Sequence, residues 1–389
     1  MTFRNFIWQI TSIKQLLGKE NRELRSILFY SESSIYYLYF EDIINYILEN
    51  SEHSICYITS DPNDPVFKLQ NDRFKVFYIS NLMLAFVTVL LDSEVLIFTM
   101  TDLGQFHIKR STKNVNHIYV FHAVMSTHMV YQKGAFDHYD TIFCVGPHHV
   151  NEIKKTEEYY GLKKKQLVKV GYHLIEKIYA DHLKFKCSKL LENNKYTRIL
   201  VAPSWNEGNI IETCIDELLI NLLKAGYEVV LRPHPEIFKR NKRKIDLIES
   251  KFYSYDKFQL ETELNSVANF HRSDILITDW SGIAFEYAFG TERPVVFINT
   301  PPKIHNDEYK EIGIEPLEVK LRESIGIVLD LEDIKDIVIE IKKLLIDHTH
   351  YCEEIIRLRE KYIFNWNYST QAAGQYILQY IDNECSAKD

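Results

Sequence analysis

Short apolar runs that do not alternate with polar residues recur through the first half of the chain. They cover residues 26–30 (S-I-L-F-Y), 55–59 (I-C-Y-I-T), 75–79 (K-V-F-Y-I), 95–99 (V-L-I-F-T), 117–121 (H-I-Y-V-F), 141–145 (T-I-F-C-V) and 167–170 (L-V-K-V). A strand with one wet face would alternate, so continuous runs mark strands covered on both faces, the habit of a mainly parallel sheet. Helical patterns such as Tyr36–Leu48 and Val150–Tyr160 fall between the runs at the spacing of βαβ units. This half reads as one doubly wound domain.

Between Tyr172 and Tyr196 the pattern turns charged, helical and lysine-rich, and a second series of runs then opens. It comprises residues 198–204 (R-I-L-V-A-P-S), 228–232 (E-V-V-L-R), 275–279 (I-L-I-T-D) and 294–299 (P-V-V-F-I-N). From Ile334 onward the pattern is almost wholly helical. The predicted architecture is α/β: two Rossmann-like doubly wound domains facing a central cleft. The expected boundaries are 1–185, a first Rossmann-like domain; 186–345, a second; and 346–389, C-terminal helices bracing the first domain.

The chain's 389 residues, 46% of them hydrophobic, suffice for two cores. With 46 basic against 54 acidic residues and a net charge of −8, it does not suit a general nucleic-acid binder, whose affinity rests on neutralising phosphates. An anionic ligand must be met by a local site. The six cysteines, at 56, 144, 187, 214, 352 and 385, form no CxxC pair. Reduced thiols in a cytoplasmic enzyme fit that scatter better than a disulfide framework or a zinc ribbon.

The N-terminus has no long apolar core or small-residue cleavage site, and the most apolar internal run, Leu82–Leu91, is ten residues long. Neither a signal peptide nor a membrane span is indicated. Phe3, Phe6, Ile7, Ile10, Ile13 and Leu17 fall roughly at helical spacing, with Arg4 and Lys14 among them. That helix either packs on the protein body or lies in a membrane interface.

Neither GxGxxG nor GxxxxGK[ST] occurs, so phosphate binding needs other loops. Three predicted strand ends carry unusual polar residues, where ligands of parallel sheets collect. In R-P-H-P-E, Pro233 and Pro235 fix the backbone on either side of His234, beside Arg232, at the start of a helix. The plain alternative is a turn with a capping histidine. In I-T-D-W-S-G-I-A-F-E-Y, Thr278 and Asp279 end the strand as candidate nucleotide- or phosphate-binding residues, Ser281 can cap the next helix, and the amides of Gly282 and Ile283 form an anion site. Gly282 allows close approach of a phosphate, and the Glu286 carboxylate can accept from a ribose or from its own helix; here the plain alternative is an ordinary cap. His122, at the end of an N-terminal strand, can act as a general base on a hydroxyl.

His128, Asp137, His138 and Asp140 follow, but their spacing matches no standard ligand set, so no metal site is predicted. His148 and His149, after Gly146-Pro147, read as surface or cap residues. The run Lys239–Lys244, K-R-N-K-R-K, is either a solvated helix face or an attractor of anionic polymer or lipid.

Together R-P-H-P-E, T-D-W-S-G-I-A-F-E-Y-A and R-P-V-V-F-I-N-T, within residues 198–300, resemble the CDP-glycerol glycerophosphotransferases, polymerases of teichoic acids and related capsules. The resemblance implies a GT-B fold, with 1–185 the acceptor-side and 186–345 the nucleotide-donor domain, and transfer of glycerol or ribitol phosphate from a CDP-activated donor to a hydroxyl of a cell-surface glycopolymer or lipid-linked acceptor. It implies no cofactor, no nucleic acid, and work in the cytoplasm with peripheral contact at the inner face of the plasma membrane. By position, His234 and Arg232 would meet the donor pyrophosphate, Ser281 and Gly282 would hold phosphate oxygens, and Glu286 would take the acidic position near the nucleotide. His122 would be the base, although H-A-V-M-S-T stands here where the family has H-G-T-P. The family also commonly has Ser-Ser and Asp where this chain has Ser-Gly and Glu. Rival readings are a GT-B glycosyltransferase using a nucleotide sugar in capsule or lipopolysaccharide synthesis, a UDP-sugar 2-epimerase, and a non-catalytic polysaccharide-binding protein.

Overall fold

The computed structural model describes residues 3–101, 103–106, 108–189, 196–262 and 267–386. The chain divides into two compact units. The first holds the chain up to His122, then Tyr131–His173, then everything from Tyr362; the second holds Ala123–Val130 and Leu174–Lys361.

The first unit is built on seven strands: β1 (Ile27–Ser31), β2 (Ile55–Thr59), β3 (Phe74–Tyr78), β4 (Val95–Phe98), β5 (Asn116–Val120), β6 (Thr141–Cys144) and β7 (Gln166–Lys169). Their order is β3-β2-β1-β4-β5-β6-β7, and every neighbouring pair is parallel. All five residues of β1, β2 and β5 are buried, which is why those runs do not alternate. The helices are α1 (Phe3–Leu17), α2 (Glu41–Asn50), α3 (Asn81–Leu90) and α4 (Pro147–Tyr160). Pro147 starts α4 and Gly161, at φ 64°, ends it in the left-handed conformation that a glycine adopts without steric cost. Trp8 of α1 packs 4.7 Å from Phe67 and 5.0 Å from Tyr78, and the Gln9 Oε1 accepts the Ser80 amide at 2.8 Å. One face of α1 is therefore on the protein body, while Phe6, Ile7 and Ile10 remain exposed.

The second unit repeats the plan. Its strands are β8 (Arg198–Val201), β9 (Glu228–Leu231), β10 (Phe258–Leu260), β11 (Ile275–Thr278), β12 (Val295–Ile298) and β13 (Gly326–Leu329), in the parallel order β10-β9-β8-β11-β12-β13. The edge strands β10 and β13, three and four residues long, are only partly buried and went unread in the sequence. The remaining helices are α5 (His173–Lys189), α6 (Ile210–Thr213), α7 (Ile215–Lys224), α8 (Pro235–Phe252), α9 (Ala268–Arg272), α10 (Ile283–Thr291), α11 (Leu317–Ile325), α12 (Ile337–Ile346), α13 (His348–Tyr362) and α14 (Ser369–Ser386). α7 shows how the core recruits them: Ile215, Leu218, Leu219, Leu222 and Leu223 form one buried stripe over β8 and β9.

The units divide differently from the expected 1–185, 186–345 and 346–389. Helix α5 belongs almost wholly to the second unit, because Ile178 sits where a side chain on Gly290 would be, 2.4 Å from that position. Helix α13 does too, because Arg359 donates to the Phe289 carbonyl at 2.7 Å and pairs with Glu292 at 2.9 Å. Only α14 braces the first unit, with Ala373, Ile377 and Ile381 in the same core as Ile43, Ile44 and Ile47 of α2.

In both sheets the order reverses beside the first strand, between β1 and β4 and between β8 and β11. Crevices outside the carboxyl ends of such strand pairs are where open α/β sheets bind ligands.

Candidate active site

At the switch point of the second unit, Asp279 follows β11 directly and is 1% exposed. One carboxylate oxygen accepts the amides of Ser204 at 2.7 Å and Trp280 at 2.9 Å; the other accepts the amide of Ile210 at 3.1 Å. Burial pushes this carboxyl up, against the pull of those amides. The Thr278 hydroxyl donates to the Ala202 carbonyl at 2.6 Å and is fully buried. Thr278 and Asp279, the strand-end residues of the expected nucleotide or phosphate site, thus staple the β8 loop to the β11 loop.

Helix α10 begins beyond this staple. Ser281 was expected to cap it, but Gly282 occupies the cap position, at φ −60° and ψ −21°, and no side chain caps the helix. Ser281 instead supplies its carbonyl to the Ala284 amide at 3.2 Å, a turn that displaces the start by one residue. The positive end of α10, with half-buried Ser281, Gly282 and Ile283, keeps the chemistry of an anion site. Glu286 is half-buried in its first turn.

His234 is the N-cap of α8, its Nδ1 accepting the Glu236 amide at 3.2 Å, and Pro235 takes the first helical position. An amide can only donate, so a neutral ring carries its proton on Nε2 and presents a donor there. Arg232 lies 3.1 Å from Glu261 and stacks 5.4 Å above Phe270. Its charge is thus partnered within the second unit by one carboxylate.

His122 follows β5 in the first unit. Its Nδ1 donates to the carbonyl of Thr99, the residue after β4, at 3.2 Å, and the rings of Tyr36, Tyr39 and Tyr131 stand edge-on within 6.2 Å. A carbonyl can only accept, so here the neutral ring has its lone pair on Nε2, the reverse of His234.

The segment after His122 belongs to the second unit. Buried Glu318 accepts the amide of Ser126 at 2.9 Å and its hydroxyl at 2.7 Å, and Asn306 donates to the His128 carbonyl at 3.0 Å. Ala123 and Met125 thereby lie against Gly282, 3.4 Å from where its Cβ would be. His128 donates to Ile314 at 3.0 Å, while Asp140 in the first unit is tied to Arg110 and His117. His148 and His149 are buried rather than on the surface, and His149 lies 3.9 Å from the Phe121 ring. Among the described residues, no group of three His, Cys, Asp or Glu is placed to hold a metal.

Sequence reasoning missed Trp205, Lys303 and Arg322. Arg322, 5% exposed, stacks 4.0 Å over Trp280 and is pushed down to about 10 by burial, opposed by Asp279. Lys303 is pushed down to about 8 by burial, opposed by Glu318 and Asp279. Both follow or face the P-V-V-F-I-N-T-P-P-K stretch, whose prolines and lysine at a strand end were the available signal.

Two doubly wound parallel units, each with a fixed imidazole near its switch point, define a GT-B-type protein. The chain belongs to the CDP-glycerol:poly(glycerophosphate) glycerophosphotransferase family, a family of enzymes, which matches it over residues 22–363. It is 28% identical over 179 residues to the teichoic acid glycerol-phosphate primase of Bacillus subtilis (strain 168), a stretch covering 44% of this chain and 43% of that protein. It is 28% identical over 159 residues to the teichoic acid poly(glycerol phosphate) polymerase of Bacillus spizizenii (strain ATCC 23059 / NRRL B-14472 / W23), covering 38% of each. The matches thus span less than half the length of these curated relatives. The solved wall teichoic acid polymerase TagF shares the fold at a TM-score of 0.63 and 14% identity, covering 99% of this chain and 100% of that one. The S. aureus MnaA–UDP structure does so at 0.59 and 13%, covering 92% and 96%.

Proposed function

We propose that the chain transfers a polyol phosphate, glycerol phosphate first among the candidates, from a CDP-linked donor to a hydroxyl of a teichoic-acid-type acceptor. The acceptor oxygen forms a bond to the polyol-bearing phosphorus, the bond from that phosphorus to the CMP oxygen breaks, and CMP leaves with the electron pair. His122 takes the hydroxyl proton on Nε2. His234 donates from Nε2 to a donor phosphate oxygen, and the α10 terminus at Ser281 and Gly282 faces the anionic phosphates, with Glu286 near the nucleotide. The observation that carries this reading is the contrasting partner of each Nδ1, the Thr99 carbonyl for His122 and the Glu236 amide for His234, which suits the first ring to accept and the second to donate at Nε2.

The same reading places the protein at a membrane surface, where a lipid-linked acceptor would lie. No described helix is long and apolar enough to cross a membrane. Leu82, Phe86 and Leu90 of α3, one helical face at i, i+4 and i+8, are 77%, 65% and 57% exposed, and α1 exposes Phe6, Ile7 and Ile10 in the same unit.

The test is product analysis with purified protein, CDP-glycerol, CDP-ribitol or a UDP-sugar, with and without a glycerol-phosphate acceptor. Acceptor-dependent CMP release is expected. Release of a nucleoside diphosphate would replace the reading by glycosyl transfer, and conversion of a UDP-sugar without acceptor would replace it by epimerisation.

A further inference from the structure

A cavity of about 840 Å³ in the second unit is lined by the β8 loop at Trp205, Asn206 and Glu207, the first turns of α8 at Arg240 and Lys244, and the β12 loop at Lys303. Its floor is Trp205, with the Arg240 guanidinium 4.7 Å and the Lys303 ammonium 5.1 Å from the indole centre. Among the described residues, no carboxylate lies within ion-pair distance of Lys303. Of the cavity's other charges, Glu236 pairs with Lys239 at 2.8 Å and Arg240 at 3.3 Å, and Glu212 accepts the Gly208 amide at 2.7 Å. A half-buried lysine with no carboxylate in direct ion-pair contact, in a concave site with an aromatic floor, is complementary to an anion carried on a polar, carbon-backed unit.

We propose that this cavity is a subsite for the acceptor, holding a phosphodiester-linked polyol of the growing chain. Lys303 meets the phosphodiester, the Asn206 amide and Glu207 carboxylate take polyol hydroxyls, and Trp205 covers the carbon backbone. The inference rests on the transferase reading above. The cavity suits the acceptor rather than the donor because Ser281, Gly282 and Glu286, the groups assigned to the donor, do not line it. It also opens onto the exposed run Lys239–Lys244, positive charge continuing outward as a repeating phosphodiester requires. His234 adjoins it, its ring 6.1 Å from that of Trp205, so a chain end held here lies beside the donor histidine.

The test uses a synthetic glycerol-phosphate trimer and CDP-glycerol as probes, with Lys303→Gln, Lys303→Arg and Lys244→Gln, the last on a half-exposed helix position where folding is not at risk. Calorimetric binding of the trimer without donor should weaken about tenfold in Lys303→Gln, recover in part in Lys303→Arg, and weaken severalfold in Lys244→Gln, with CDP-glycerol binding unchanged. Weakened donor binding with trimer binding intact would assign the cavity to the donor, and unchanged binding of both would reduce Lys303 to a structural counter-charge for Asp279 and Glu318; either outcome overturns the proposal. Trimer binding is read without turnover. Absence of CMP release from the wild-type protein therefore counts against the transferase reading, and absence of trimer binding against the subsite.

Discussion

The Nδ1 of His122 donates to the carbonyl of Thr99 at 3.2 Å. Thr99 comes directly after β4, at the point where the strand order of the first sheet reverses, so the fold itself writes the tautomer of the imidazole. Replacing His122 by Gln keeps a polar side chain but removes a base that can take a proton. The expected result is a fall in kcat of about 10² to 10⁴ with donor KM retained, measured as CMP release at saturating acceptor.

Asp279 is a buried staple with three backbone amides pointing at it. Asn at this position replaces one accepting oxygen by an NH₂ group that confronts a donor. Asp279→Asn should lower the stability of the second unit by about 1 to 3 kcal/mol, read from denaturant unfolding. Donor binding would fall only as far as the α10 loop loosens.

Gly282 separates packing from chemistry. Its backbone is ordinary helical, at φ −60°, and a Cβ would meet Ala123 and Met125 at an unstrained 3.4 Å. Gly282→Ala should therefore fold and melt like the wild type. If a donor phosphate approaches this amide closely, the added methyl raises donor KM by about tenfold, from steady-state kinetics with CDP-glycerol. Unchanged donor KM would move the phosphate away from this helix end.

How much of this was legible follows from where each signal resides. The buried strands announced themselves because both faces of the sheets are covered, so Ile27–Ser31 and Ile275–Thr278 read as unbroken apolar runs. The R-P-H-P-E turn was legible because proline chemistry is local. What was not legible depends on partners distant in sequence. The bonds of Thr278 to Ala202 and of Arg232 to Glu261 join residues 76 and 29 positions apart. The docking of residues 123–130 into the second unit rests on Glu318, 192 positions from Ser126. Lys303 gains its meaning only from Trp205 and Arg240, which no spacing rule connects to it.

The exposed stripe Leu82, Phe86 and Leu90 should carry membrane affinity if α3 lies in an interface. Since burial of each such side chain is worth about 1.5 to 3 kcal/mol, the double change Leu82→Glu and Phe86→Glu should reduce binding at least about tenfold. Co-sedimentation with vesicles of phosphatidylglycerol and phosphatidylethanolamine checks this. Unchanged soluble-acceptor activity would show that the fold is intact, and equal sedimentation of both proteins would remove α3 from the interface.

The last prediction concerns pH, because Lys303 is held down to about 8 by burial against the opposing pull of Glu318 and Asp279. Around it stand Glu318 on α11, Asp279 after β11, His305 on its own loop, itself pushed down by burial and by Lys303, and Arg240 of α8 at the same indole. Between about 8 and the ordinary 10.5 the folded chain binds fewer protons at this site than the unfolded one. Lys303 therefore makes stability rise with pH through that window, whereas below it the charged ammonium carries its full burial penalty. Anion binding has the opposite sign: only the charged form attracts a phosphodiester, so acceptor affinity falls as pH rises through about 8. The acceptor KM, measured from pH 7 to 9.5 with the glycerol-phosphate trimer, should climb with a midpoint near 8 and plateau about tenfold higher. In Lys303→Arg, whose guanidinium stays charged throughout, this climb should vanish, and donor KM should stay level in both proteins. A climb that persists in Lys303→Arg would assign the titration to another group and release Lys303 from the acceptor.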